Sequence, residues 1–104
     1  MKRTRRIRAM IAGTAQRPRA SVYRSRTRLS IQLIDDTRGH TLLAGRSDAA
    51  TGATIAAALE LGKAIGVQAV QQGVTSVVFD RSGFRYHGRI KAAAEGLRAG
   101  GLTL

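Results

Sequence analysis

The sequence predicts an α/β fold on a mixed sheet (α+β in layering), with element order β-β-β-α-β-α. Three observations carry that reading. Residues 28–35, RLSIQLID, alternate apolar with polar, the two-residue period of a strand with one buried face. Residues 54–72 repeat small and apolar residues at helical spacing. The β-branched run SVVFD follows that helix, and a strand reached through a helical crossover lies parallel to the strand before it.

The elements follow in order. Pro18, the one proline, pushes Arg17 toward extended conformations, so the folded unit is expected to begin near Arg19. Ala20 to Arg24 reads as a strand, with Val22 and Tyr23 as good β formers. The polar SRTR after it makes a short turn, a basic hairpin tip. In the second strand Leu29, Ile31 and Leu33 face one way, and Ser30 and Gln32 the other. DDTRGH supplies the next turn, where Gly39 can take positive φ. His40 to Arg46 forms the third strand around Leu42 and Leu43, completing a three-stranded antiparallel meander.

SDAATGAT is a loop of small residues. In the helix from Thr54 to about Gln72, Ile55, Leu59, Gly62, Gly66 and Val70 line one face, widened by Ala58, Leu61, Ile65 and Ala69. Gly62 and Gly66 each lower helix propensity by about 1 kcal/mol relative to alanine. Close approach of the helix backbone to the sheet is the expected compensation, and Gly73 ends the helix. SVVFD is expected to be buried on both faces and to pair beside the first strand. A second helix from about Gly88 to Ala99 turns Ile90, Ala93, Ala94 and Leu97 inward and stops at Gly100-Gly101. With both helices mainly on one face, the other face of the sheet is open and carries Ser30 and Gln32.

Charge then says what the fold is for. The chain holds 18 Lys+Arg against 6 Asp+Glu, a net +12. Fifteen of those cations are arginine, whose planar fork of donors fits phosphate bidentately. Residues 1–28 hold ten cations (Lys2, Arg3, Arg5, Arg6, Arg8, Arg17, Arg19, Arg24, Arg26, Arg28) and no acid, whereas the remainder is close to balanced. Uncompensated cations repel one another and invite a polyanionic partner, most often nucleic acid. We therefore divide the chain into a basic arm, residues 1–17, expected to bind nucleic acid and to be disordered when free, and a folded domain, residues 18–104.

Other classes are excluded on composition. Without cysteine there are no disulfides, no thiolate chemistry and no cysteine-based zinc site, and no metal or cofactor is expected. No apolar stretch reaches the ~18 residues of a membrane helix, so no membrane partner is expected. The basic start has only Ala9-Met10-Ile11-Ala12 after it, too short for a secretory signal, so a cytoplasmic location is expected.

The stretch FDRSGFRYHGRI, residues 79–90, invites two readings. Asp80, Ser82 and His87 resemble a hydrolase set, but nothing matches a nucleophile elbow, and serine before glycine is ordinary turn chemistry. A magnesium nuclease using Asp35, Asp36 and Asp80 is the stronger enzymatic alternative. These carboxylates sit at strand ends, in an element order that resembles the ribonuclease H fold. Against it, Asp35-Asp36 fall in a hairpin turn, and Asp80 has Arg81, Arg85 and Arg89 as nearby partners. As a binding surface, the stretch places Phe84 and Tyr86 among Arg81, Arg85, His87 and Arg89, suited to stacking on bases with phosphate contact. Phe84 equally suits packing beneath the loop as a lid on the core. A DNA-compacting architectural protein is a third class that the charge allows.

RPRASVYRS, LIDD, VVFDRSGFRYHGRIKAAAEGLRAGG and the arginine-rich start together resemble the bacterial large-subunit ribosomal protein number eighteen family, which binds 5S rRNA. The resemblance spans nearly the whole chain in order. It implies a translation-protein topology, binding to 5S rRNA and attachment of that RNA to 23S rRNA in the central protuberance, beside neighbouring 5S-rRNA-binding ribosomal proteins. It puts the family's arm on Lys2 to Arg8, its Arg-Pro-Arg entry on Arg17 to Arg19, its hairpin cations on Arg24, Arg26 and Arg28, and its loop on Asp80 to Arg89. The chain departs from the pattern in a short stretch from Arg46 to Thr54, in Ser82 where glycine is common, and in its few lysines.

Overall fold

The computed structural model describes residues 12–24, 28–47, 54–82 and 87–104. Along the chain run β1 (Arg19–Arg24), β2 (Leu29–Asp35), β3 (His40–Arg46), α1 (Ile55–Gln71), β4 (Val78–Asp80) and α2 (Arg89–Ala99). The sheet order is β3-β2-β1-β4, with β1–β2 and β2–β3 antiparallel and β4 parallel to β1. The mixed sheet and the place of the crossover strand beside β1 are as the sequence predicts.

The alternation in β2 does what its period requires. Leu29, Ile31 and Leu33 are buried and face Val22 and Ala20 of β1 in one core, under Ala58, Ile65 and Ala69 of α1 and Ile90, Ala93 and Leu97 of α2. Both helices therefore cover the same sheet face. A bulge between Leu33 and Ile34 shifts the β2–β3 register, pairing Leu33 with Leu43 but Ile34 with Thr41. At the far end, buried Ser47 closes the pair: its N–H donates to the Leu29 carbonyl at 2.8 Å and its Oγ accepts from the Leu29 N–H at 2.9 Å.

Helix boundaries rest on local chemistry. Thr54 caps α1, its Oγ1 accepting from the Ala57 N–H at 3.0 Å. At the other end Gly73 (φ +88°) donates to the Val70 carbonyl and Val74 to that of Ala69, the paired bonds of a Schellman stop. Gly101 and Leu102 end α2 the same way, on Arg98 and Leu97.

Three expectations need correcting. The buried face of α1 is Ala57, Ala58, Gly62, Ile65, Gly66 and Ala69; Ile55, Leu59 and Val70 are exposed. The glycines of α1 approach α2, not the sheet. A Cβ on Gly62 would lie 2.4 Å from the Ala93 carbonyl oxygen, and one on Gly66 2.8 Å from that of Leu97. The sheet is met instead by Ile65 and Leu61, over Gly45 of β3. Finally, β4 is three residues long and lies at the sheet edge, so Val78 and Phe79 are only half-buried. Earlier in that run, Val77 N–H donates to the Thr103 carbonyl at 2.9 Å, so the C-terminus takes up the start of the strand.

Candidate nucleic-acid interface

The sheet face turned away from the helices carries polar and aromatic side chains in cross-strand rows. Tyr23, Ser30 and Arg46 form one row, and Ser21, Gln32 and Ala44 the next. Tyr23 is 59% exposed, Gln32 and Arg46 are exposed, and Ser30 is half-buried. A hollow of about 250 Å³ lies between Ser30, Gln32, Ala44, Gly45 and Arg46. An amphipathic aromatic beside arginine and short hydrogen-bonding groups is the surface composition that stacks on bases and contacts phosphate. Ser30 and Gln32 were predicted for this face. Tyr23, Ser21 and Arg46 were missed, although alternation with buried Ala20 and Val22 already assigns Ser21 and Tyr23 to it.

The other predicted residues fall at the rim. Arg17 is exposed two residues before β1 and Arg24 at its end, and Arg28 is half-buried just before β2. Arg81 and His87 are exposed on either side of the loop before α2, and Arg89, half-buried, opens that helix. Lys2, Arg3, Arg5, Arg6, Arg8, Arg26, Phe84, Arg85 and Tyr86 lie outside the described residues.

Arg19 sits differently. Its Nε and Nη2 donate to the two carboxylate oxygens of Asp36 at 2.9 and 3.1 Å, and its Nη1 donates to Asp80 Oδ2 at 2.8 Å. The bidentate pair is the geometry a guanidinium fork favours. Hydrogen bonding to Asp36 raises the Arg19 pKa above its ordinary value despite burial. The same contact, with a bond from Gly13, lowers that of Asp36.

This arrangement removes the nuclease alternative. Asp36 and Asp80 are joined through a guanidinium, so the space between them already holds a cation. Asp35 turns to the buried side, where Thr37 donates to its Oδ1 through both N–H (3.0 Å) and Oγ1 (2.5 Å), a bonding that lowers its pKa. Among the described residues no three carboxylates or histidines gather as a metal site. The hydrolase reading fails too: Asp80 Oδ1 accepts from the Ser82 N–H at 2.9 Å, and the Ser82 hydroxyl lies 3.3 Å from that of Ser21. An arginine that Asp80 does meet among the described residues comes from β1, a partner the sequence did not indicate, and Arg85 lies outside the described residues.

Fold and surface together define the class: a small basic α/β protein with a polar, arginine-bearing sheet face, and with no catalytic centre assembled among its described residues. The chain belongs to the family of ribosomal L18 of archaea, bacteria, mitochondria and chloroplasts, whose model matches residues 1–104. It is 49% identical over 104 aligned positions to the large ribosomal subunit protein uL18 of Chloroherpeton thalassium, spanning 94% of this chain and 87% of that one. It is 47% identical over 106 positions to that of Lactobacillus johnsonii, spanning 98% and 89%. Membership makes it a structural constituent of the large subunit of the cytoplasmic ribosome, not an enzyme, with ribosomal RNA and ribosomal proteins around it.

Proposed function

We propose that the protein binds 5S rRNA and helps attach it to 23S rRNA in the central protuberance, beside the neighbouring 5S-rRNA-binding ribosomal proteins. The observation that carries this is the sheet face turned away from the helices with its Tyr23–Ser30–Arg46 row, taken with a sequence whose first 28 residues hold ten cations and no acid. The arm, Lys2 to Arg8, neutralises phosphates and orders on the RNA. Arg17, Arg24, Arg26 and Arg28 grip the backbone around the face. Ser30, Gln32 and Tyr23 meet bases, and the loop residues Arg81, Phe84, Arg85, Tyr86, His87 and Arg89 extend the contact.

The test is a filter-binding competition on a labelled 5S rRNA transcript. Unlabelled 5S rRNA should displace it at far lower concentration than duplex DNA of equal length; equal competition defeats the reading. Tyr23→Ala should weaken binding by about 1–3 kcal/mol if the ring stacks on a base.

A further inference from the structure

Ahead of β1 the chain meets the sheet at Gly13, and that point is held from several sides. The Gly13 N–H donates to Asp36 Oδ2 at 2.7 Å, and the Asp36 N–H donates back to the Gly13 carbonyl at 3.0 Å. The same carboxylate accepts the Arg19 fork, and Arg19 continues to Asp80 across the sheet. Gly13 is buried, and a Cβ there would lie 2.2 Å from the Arg19 backbone nitrogen and 2.5 Å from the Ile34 carbonyl oxygen. Between the two anchors a turn is closed by Thr14 N–H to the Arg17 carbonyl at 3.0 Å and Arg17 N–H to Thr14 Oγ1 at 3.1 Å. Pro18, buried and fixed in φ, completes the return to β1.

The consequence is mechanical. The arm's five cations, Lys2 to Arg8, lie a few residues before Gly13. A charged segment tethered at a fixed point is presented to its target at a higher effective concentration than one on a longer slack tether. If Gly13 lets go, the tether lengthens by the whole 13–18 segment.

We propose that Gly13, Asp36 and Arg19 form an anchor that sets where the basic arm departs from the folded domain. Arg19 is then a positioning residue for RNA binding and not a phosphate ligand. This rests on the reading above that the arm contacts ribosomal RNA. It has a consequence opposite in sign to simple electrostatics. Removing the Asp36 carboxylate makes the protein more cationic and releases the Nε edge of the guanidinium, which by charge alone strengthens RNA binding. Loss of the anchor weakens it.

The experiment uses full-length chains and a 5S rRNA transcript in filter-binding titrations over a salt series, with thermal melts to monitor folding. Asp36→Ala should bind about tenfold more weakly, with a salt slope lower by about 1 or more. Unchanged or tighter binding overturns the anchor. Gly13→Ala keeps every charge and should show the same loss, which keeps the test decisive if Asp36→Ala does not fold. A third chain combines Lys2→Gln, Arg3→Gln, Arg5→Gln, Arg6→Gln and Arg8→Gln. If it binds as well as the parent, the arm reading itself fails and the anchor with it. If it binds more weakly, Gly13→Ala added to it should change affinity by less than about twofold, because the two substitutions act through one contact. A full additive loss there means that Gly13 serves folding alone, and overturns the proposal.

Discussion

Asp36 accepts hydrogen bonds from Arg19 and from the Gly13 backbone, which stabilise its ionised form and lower its pKa from 3.8. Asp35 is lowered as well, chiefly by the Thr37 hydroxyl. A carboxylate with a depressed folded-state pKa binds fewer protons folded than unfolded. Its stabilisation is therefore complete above the unfolded value and is lost as pH falls through the folded one. Urea midpoints should be flat from neutral pH down to about pH 5 and fall below about pH 4. Asp36→Asn should be less stable at neutral pH and lose less on acidification. A variant whose acid profile parallels that of the parent would show that Asp36 contributes nothing. These residue-level contacts were only partly legible. The Asx-type turn at Asp35 is local and was anticipated. The partners of Arg19 lie 17 and 61 residues away, and no local pattern points to them.

At the scale of elements, glycine does in the helices what leucine does in the sheet. Gly62 and Gly66 of α1 meet Gly96 and Gly100 around α2, close enough that a Cβ on Gly96 would lie 2.4 Å from the Leu59 carbonyl oxygen. Backbone approach of this kind maximises dispersion contact between two helices without bulky side chains. Gly62→Ala gains about 1 kcal/mol of helix propensity, but the opposing atoms are backbone and cannot swing away. Pushing the helices apart costs about 1–3 kcal/mol, so the expected net effect is destabilising. The thermal midpoint should drop, by roughly 4–8 °C per kcal/mol for a domain of this size. A midpoint at or above the parent's would mean that the helices separate freely. Periodicity located α1 and its glycine stop correctly. It placed Ala58, Gly62, Ile65, Gly66 and Ala69 on the buried side correctly but added Ile55, Leu59 and Val70 by hydropathy, whereas close contact with the second helix admits glycine and alanine there.

For the whole molecule the governing quantity is where charge sits. Helix α1 carries one lysine and one glutamate, while the first 28 residues carry ten cations and no acid. Binding to RNA is then expected to release many counterions. With about 6–10 phosphates neutralised, affinity should fall by orders of magnitude between low and physiological salt. Replacing Arg24 and Arg28 with glutamine should weaken binding to all RNAs and lower the salt slope by about 2, one unit per lost phosphate. An unchanged slope would remove those two arginines from the interface.

The amino-acid sequence by itself determined the order of elements, the buried side of β2, both helix stops, the cationic front and the family. All of these are written in near-neighbour spacing, composition or contiguous motifs. Only the tertiary structure decided that Arg19 joins Asp36 to Asp80, that Gly13 is locked against the sheet, that Tyr23 lies in a row with Ser30 and Arg46, and that glycine meets glycine between the helices. Each of these depends on strand register and helix approach, which bring together residues far apart in the chain, and those distances are set by the packed molecule as a whole.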